Sequence, residues 1–275
     1  MKIKYLGTAA AEAIPALFCT CEVCREARKA GGREIRLRSQ ALINDNLLID
    51  LGSDTVANSV RFGIDMTRVF HCLITHIHSD HFCRPEFFYL NPGFTHREPG
   101  MPPLTVHGSE DVAEALKESV ASSAGALVCR AEAPFVPFDA GDVRVTPMKA
   151  NHGTDHPYIY LLEHEGKTLL YAHDTGVFPQ ETWDYINETK PRISLASLDC
   201  NDGDTDGDDY GGHMCLGRCK RVRARLIEAG AADENTVFVL NHFSHNGVRP
   251  LYREFSQTAA REGFIVSYDG MELTV

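Results

Sequence analysis

The stretch "THIHSDHF", residues 75–82, is the strongest chemical signal in the sequence. It contains four side chains of the kinds that bind metals, namely His76, His78, Asp80 and His81. The apolar run before it, from Val69 to His76, predicts a buried strand that ends in a polar turn. Imidazoles and a carboxylate suit zinc, manganese or iron. Because four side chains on one turn point in two directions, they indicate halves of two metal sites.

Three more candidate ligands follow apolar strands in the same way. His152 lies in "KANHG" after "VRVTPM", Asp174 in "YAHDTG" after "KTLL", and His242 in "VLNHFSH" after "TVFV". Any one of these residues alone would favour a structural role. Three in the same context favour metal ligands gathered at the ends of strands.

A separate group of thiols lies near the N-terminus, in "CTCEVC", residues 19–24. Cys19, Cys21 and Cys24 suit zinc, but a closed zinc site needs four ligands, so one ligand is missing from this segment. The nine cysteines are an odd number, and the apolar run of "MKIKYLGTAA" is too short for a signal peptide. We therefore expect a cytoplasmic protein with reduced thiols and metal ligands rather than disulfides.

Composition narrows the range of partners. The 275 residues are 43% hydrophobic and 24% charged, with a net charge of -11. No apolar run reaches the length of a membrane helix, so we expect no membrane contact. The acidic balance argues against a nucleic-acid partner and favours a small molecule. The basic stretch at 24–40 favours a solvated helix and loop over a phosphate-binding edge. The sequence leaves open whether the protein forms a homodimer.

Organisation along the chain indicates one domain, residues 1–275, because no linker, low-complexity spacer or short repeat interrupts it. Helical spacing predicts helices in "EDVAEALKESVASSAG" and "CKRVRARLIEAGA". A hairpin turn is expected at "EHEGKT", and a final strand pair joined at "DG" in "GFIVSYDGMELTV". The acidic stretch 201–212 partly matches a calcium loop, but a flexible acidic loop fits it better.

The sequence resembles the metallo-β-lactamase superfamily over essentially its whole length, through "THIHSDH", "NH", "HDTG" and the second "NH". The resemblance implies an α+β fold, a four-layer αββα sandwich of two mixed β-sheets flanked by helices. It also implies two divalent metals, zinc, manganese or iron. The first would be held by His76, His78 and His152. The second would be held by Asp80, His81 and His242. Asp174 would bridge both metals, and Asp50 in "LLIDLG" would orient ligands from behind.

A closer resemblance is to the phosphonate-utilisation cyclic phosphodiesterase (PhnP) family. It is carried by "CTCEVC", "SLDC" ahead of a lone histidine, "NHFSH" and "DGMEL". It implies that His245 completes a structural zinc site with Cys19, Cys21 and Cys24. It also implies that His213 in "DDYGGHMCL" acts as general acid or stabilises phosphoryl charge, together with Asp80 in the catalytic centre. A solvated loop histidine is the alternative for His213.

The expected function is therefore a metal-dependent hydrolase, a phosphodiesterase acting on a small cyclic phosphodiester through a hydroxide bound to two metals. Other hydrolases of the fold stay open, namely a transfer-RNA 3′-processing-like nuclease or a lactone or thioester hydrolase. So do a non-catalytic cofactor-biosynthesis relative, similar to the PQQ-pathway protein, and a zinc-binding interaction protein. Arg84 is interpreted as a phosphate contact or a solvated side chain, and residues 82–101 as a pocket wall. His156 and His173 are the remaining candidates for support of the ligands.

Overall fold

The computed structural model describes residues 1–207 and 211–275. Part of the acidic stretch 201–212 therefore lies outside the described residues. The strands are β1 Lys2–Gly7, β2 Gln40–Ile43, β3 Leu47–Ile49, β4 His71–Leu73, β5 Leu104–Gly108, β6 Leu127–Ala131, β7 Phe138–Ala140, β8 Val143–Lys149, β9 Tyr158–His164, β10 Lys167–Ala172, β11 Ile193–Asp199, β12 Val237–Asn241, β13 Ile265–Val266 and β14 Glu272–Thr274. The helices are α1 Glu22–Ala30, α2 Thr55–Phe62, α3 Arg84–Phe88, α4 Glu110–Ser122, α5 Gln180–Thr189, α6 Leu216–Glu228 and α7 Tyr252–Arg261.

The strands form two seven-stranded sheets. The order is β14-β1-β2-β3-β4-β5-β6 in the first sheet and β13-β12-β11-β10-β9-β8-β7 in the second. Each sheet is mixed. Strands β3 to β6 run parallel in the first sheet, and β10 to β13 run parallel in the second, whereas the remaining neighbours pair antiparallel.

Side chains that alternate along each strand separate the core between the two sheets from the cores beneath the helices. In β3, Leu47 and Ile49 pack toward the second sheet, while Leu48 between them packs toward helices, because successive side chains of a strand point to opposite faces. In β9, Leu162 faces the first sheet and Leu161 faces the helices on the other side. The expected four-layer sandwich of two mixed sheets between helices is confirmed.

Helices cover both outer faces with buried apolar side chains. On the second sheet, α5 contributes Trp183 and α6 contributes Leu226 to a shared core. On the first sheet, α4 contributes Val112 and Leu116. In the described part of the chain, no helix combines the length and apolar character needed to cross a membrane.

Local turn signals predicted some connections well and one wrongly. The "EHEGKT" turn joins β9 and β10, with Glu165 and Gly166 at φ 48° and 72°, as tight hairpins require. The expected pair at the C-terminus is not a hairpin. Strand β13 pairs with β12 in the second sheet, and β14 pairs with β1 in the first. The turn at Gly270, φ 91°, instead carries the chain from one sheet to the other.

Candidate metal centres

The histidine turn begins where β4 ends, and a buried carboxylate beneath it fixes its shape. Asp50, which is fully buried, accepts hydrogen bonds from the backbone N–H of Thr75 at 2.8 Å and from the Thr75 hydroxyl at 2.9 Å. It also lies 2.7 Å from His81 Nδ1. Gly52 permits this packing, because a Cβ there would lie 2.0 Å from the Asp80 carbonyl oxygen. Asp50 therefore orients the His81 ring so that its other nitrogen, Nε2, faces the carboxylates of Asp80 and Asp174.

A first ligand group forms around the turn and the loops after β8 and β10. Its members are His76, His78, His152 and Asp174, whose ligand atoms lie within 4.8 Å of one another. His78 Nδ1 lies 2.9 Å from His76 Nε2 and 3.0 Å from His152 Nε2. Nitrogens that share one tetrahedral zinc lie about 3.3 Å apart, so this group can close around one ion.

A second ligand group shares Asp174 with the first. It consists of Asp80, His81, Asp174 and His242, all buried. His81 Nε2 lies 3.1 Å from Asp80 Oδ2 and 3.1 Å from Asp174 Oδ2, and His242 Nε2 lies 3.7 Å from the same Asp174 oxygen. The structure therefore brings all seven sequence-predicted ligands to one edge, in two groups that meet at Asp174.

The centre has two features that a bound cation would explain. His81 Nε2, His242 Nε2 and Asp174 Oδ1 are buried atoms that make no hydrogen bond within the described structure, and unpaired buried polar atoms are costly. Asp50, Asp174 and His242 have φ of 65°, 53° and 64°, a conformation that costs non-glycine residues about 1–3 kcal/mol each. The chemistry of the donors and their unpaired atoms fit divalent metals such as zinc, manganese or iron.

Electrostatics in the centre also suit metal ligation. Burial, together with the neighbouring His81, lowers the pKa of His76 to about 4, which keeps its imidazole neutral, the form that binds metals. Burial raises the pKa of Asp174, but His242, His76 and His81 outweigh it and hold that pKa well below its ordinary value. Asp174 is therefore an anion among imidazoles.

Asp199 is a central residue that sequence reasoning missed. It is fully buried at the end of β11, and its Oδ2 lies 3.1 Å from His242 Nδ1 and 3.2 Å from His213 Nδ1. Its Oδ1 accepts the backbone N–H of Met214 at 2.8 Å. The available signal was "SLDC", a polar residue directly after an apolar run, the same context that identified the other ligands.

His213 lies at the open side of the centre. Its ring stacks on His242 with centroids 5.5 Å apart, and its side chain is 32% exposed. Burial lowers the pKa of His213, but Asp199 and Asp174 outweigh it and raise that pKa to about 9. Because Nδ1 faces Asp199, the other ring nitrogen is the one that can reach a molecule in the centre.

The cysteine cluster brings together the four residues expected there. Cys19 Sγ and Cys21 Sγ lie 3.7 Å and 3.5 Å from His245 Nδ1, and Cys24 completes the group. A hydrogen bond from the Cys24 backbone, followed by His245 and Cys19, lowers the pKa of Cys21 to about 6, whereas burial raises that of Cys24 to about 11. Three thiols and one imidazole suit a closed zinc site, and the ion's charge would favour the thiolate of Cys24.

Basic residues of the 24–40 stretch hold the cysteine loop. Arg28 donates to the carbonyl oxygens of Cys19 at 2.8 Å and Ala16 at 3.0 Å, and Arg25 donates to that of Thr20. Arg38 pairs with Asp54 at 2.9 Å. These contacts show that much of the basic stretch is used inside the fold, rather than as an open phosphate-binding edge.

Other sequence-predicted candidates fall outside the centre. His156 pairs with Asp111 at 2.9 Å, at the start of α4, and Arg84 pairs with Glu118 at 3.1 Å on the surface. Residues from 86 to 101 line an apolar cavity of about 540 Å³ between α2 and α3, and none of the ligand residues lines that cavity. The segment thus borders a cavity that lies outside both ligand groups. His173, in contrast, lies directly beneath the centre.

The fold and the two ligand groups define a sandwich of the metallo-β-lactamase type. The sequence profile described as beta-lactamase superfamily domain matches residues 45–243, and the chain belongs to that superfamily, whose members are mostly metal-dependent hydrolases. No curated protein sequence matches the chain.

Solved structures share the fold over nearly the whole length. A structure described as a new diphosphatase from the PhnP family has TM-score 0.72 at 19% identity, covering 99% of this chain and 96% of that one. Zn²⁺-bound PqqB from Methylobacterium extorquens has TM-score 0.75 at 15% identity, with 100% of both chains covered. The short form of human tRNase Z has TM-score 0.63 at 16% identity, covering 100% and 99%. At these identities the likeness establishes the fold.

Proposed function

We propose that the protein is a metal-dependent phosphodiesterase that hydrolyses a small cyclic phosphodiester, and that residues 1–275 form one cytoplasmic hydrolase domain. The observation that carries the proposal is the position of Asp174, which lies where two complete ligand groups meet. His213 is 3.3 Å from Asp174 Oδ1 on the open side. A zinc-binding interaction protein would need the cysteine cluster but not the two buried ligand groups around Asp174.

Two divalent ions held by the seven ligands would lower the pKa of a water molecule and offset the charge on an attacked phosphoryl group. Asp174 would contribute one carboxylate to both ions. Asp50 and Asp199 would fix His81 and His242 through their Nδ1 atoms, so that Nε2 of each ring is directed to the ions.

His213 would supply the proton for the leaving oxygen. Asp199 orients its ring at 3.2 Å, and its partial exposure leaves the other ring nitrogen accessible to a substrate. Asp199 has a second role in this arrangement, because it contacts both this proposed acid and the proposed ligand His242. A positioned acid of this kind is one of the groups that phosphodiester cleavage needs.

The cysteine cluster is proposed as a separate structural zinc site, held by Cys19, Cys21, Cys24 and His245. The protein would therefore hold three ions, two at the catalytic centre and one beside it. His245 lies three residues after His242, so one segment serves both centres.

A small substrate is favoured over a nucleic acid. The net charge is -11, and Arg25, Arg28 and Arg38 contact groups within the chain, so they form no free basic edge for a phosphate backbone. This argues against a transfer-RNA-processing role. The convergence of all seven ligands argues against a non-catalytic relative.

The test is turnover of a substrate panel, with metal analysis of the same sample. The panel contains five- and six-membered cyclic phosphodiesters, linear nitrophenyl phosphodiesters, a nucleoside diphosphate, a precursor transfer RNA, a lactone and a thioester. The diphosphate is included because a similar structure is a diphosphatase. Preferential hydrolysis of a cyclic phosphodiester is the expected result. Turnover of another class alone, or of none in metal-loaded protein, would overturn the proposal.

A further inference from the structure

The two ligand groups that share Asp174 are together called the histidine centre. A cluster of buried polar side chains lies beneath this centre, between the two sheets. Its members are 1% exposed or less. They are Tyr5, Ser39, His173, Ser197, Asn241 and Ser267. None of these residues belongs to a ligand group in the described part of the chain. Burying polar groups between two sheets is costly unless each is hydrogen-bonded, so the cluster calls for an explanation that packing alone does not give.

The hydrogen bonds of the cluster are mutually consistent and specify one form of His173. Asn241 Nδ2, which can only donate, lies 2.9 Å from His173 Nδ1. Nδ1 is therefore the acceptor, and Nε2 carries the proton that it donates to Ser197 Oγ at 2.7 Å. The Asn241 amide is fixed in turn, because its Oδ1 accepts the Ser267 hydroxyl, and Tyr5 donates to Ser197 at 2.9 Å.

The cluster connects to the centre through the backbone. His173 directly precedes Asp174, and Asn241 directly precedes His242. Asp174 and His242 are the two proposed ligands with left-handed backbone conformations, φ 53° and 64°. Such conformations persist where the surroundings fix them. The bond between His173 and Asn241 passes over β11, so it ties the end of β10 to the end of β12 immediately before both bends.

We infer that His173 and Asn241 form a clamp, a pair of positioning residues that hold Asp174 and His242 in the conformations that present them to metal. This inference rests on the proposed metal-dependent function. The clamp touches neither ion nor substrate. It acts by setting the backbone of two members of the second ligand group, and one of these, Asp174, also belongs to the first.

The test is metal affinity in His173→Phe, which keeps a buried ring but removes the hydrogen bonds of both ring nitrogens, to Asn241 and Ser39 at Nδ1 and to Ser197 at Nε2. Metal-free protein is titrated with Zn²⁺ and with Mn²⁺ in competition with a chelating dye, and the Co²⁺ absorption spectrum reports ligand geometry. We expect the affinity for the second active-site ion to fall about 10- to 100-fold, the usual loss when a residue supporting metal ligands is removed. His173→Gln, which can accept from Asn241 and donate to Ser197, should recover most of that affinity.

Tyr171→Phe is the matched control. Tyr171 is fully buried on β10, two residues before His173, and among the described residues its hydroxyl contacts the cluster only through Ser39 at 3.5 Å, so the loss of this hydroxyl should leave metal affinity unchanged. Wild-type affinity in His173→Phe, or equal losses in His173→Phe and Tyr171→Phe, would overturn the clamp. Should His173→Phe fail to fold, Ser197→Ala removes the partner of His173 Nε2, together with the acceptor of the Tyr5 hydroxyl. A few-fold weaker affinity there supports the clamp, and unchanged affinity overturns it.

The outcomes separate the clamp from the proposed function. Wild-type protein that binds no pair of ions contradicts the proposed function, and the clamp with it. Wild-type protein that binds two ions, with no change in the variants, contradicts the clamp alone.

Discussion

The histidine centre and the cysteine cluster differ in how the chain builds them. The histidine centre collects its seven proposed ligands from four separate segments between His76 and His242, each of which follows the end of a strand, and the buried carboxylates Asp50 and Asp199 orient His81 and His242. The cysteine cluster takes three ligands from the six residues 19–24, which span the end of a loop and the first turn of α1. Strand ends place the ligands of the histidine centre, whereas we expect the proposed zinc ion to contribute to the order of the cysteine loop. Loss of metal from the histidine centre should therefore abolish activity, whereas loss of zinc from the cysteine cluster should disorder its loop.

The largest effect is expected at Asp174, where the two histidine groups meet. Asp174→Ala removes a carboxylate from both groups, so activity should fall to background and the active-site metal content should fall with it. The fold should persist, because the strands around the centre carry their own cores. Metal content by mass spectrometry and turnover are measured together. Asp139→Ala, an exposed carboxylate on β7, is the control, and two ions retained in Asp174→Ala would refute the shared-ligand arrangement.

His213 tests whether the histidine centre is more than a metal site. His213→Ala should keep both ions and the fold, while turnover falls about a hundredfold or more, the scale for loss of a positioned acid. The loss should be smaller for a nitrophenyl ester, because that leaving oxygen needs less protonation. His96→Ala, in an exposed loop, should be silent. Equal losses for good and poor leaving groups would assign His213 a binding or electrostatic role instead.

Cys21 tests the other side of the comparison. Cys21→Ser should remove one zinc and lower the melting temperature by about 5–10 °C, since a closed zinc site contributes directly to folding. Turnover per molecule that retains active-site metal should change little. Cys129→Ser, a thiol on β6 outside any ligand group, is the control. Unchanged zinc content and melting temperature in Cys21→Ser would remove the distinction between the two centres.

Sequence patterns predicted most of both centres, because metal ligands are chemically conspicuous and follow apolar strands. His152, Asp174 and His242 were recognised as ligands because all three share one context, a polar turn after an apolar strand. Asp199 was missed, because an aspartate at one strand end is ordinary until its partners His213 and His242, 14 and 43 residues away, are known to converge on it.

The C-terminal strands show the same limit in the fold. The "DG" signal correctly placed a turn at Gly270, since turn chemistry is local. Which strands β13 and β14 would join was not local. Their partners, β12 and β1, lie in opposite sheets and are selected by packing across the whole chain. The polar cluster around His173 was beyond reach for the same reason, since its serines and asparagine are ordinary in isolation.

The smallest predicted effect sharpens the view that the cysteine loop depends on more than its ion. Arg28 ties the carbonyl oxygens of Ala16 and Cys19 to α1, so it should limit the loop conformations that must be ordered when zinc binds. Arg28→Ala should retain zinc but lower the melting temperature by about 2–4 °C, since exposed hydrogen bonds contribute modestly, and should speed zinc loss to a chelator. Lys29→Ala, the exposed neighbour on α1, is the matched control and should do neither. If Arg28→Ala and Lys29→Ala behave alike, the thiols and the ion alone order the loop. The two sites would then differ more than the arginine contacts suggest, because strand ends would order the histidine centre and zinc alone would order the cysteine loop.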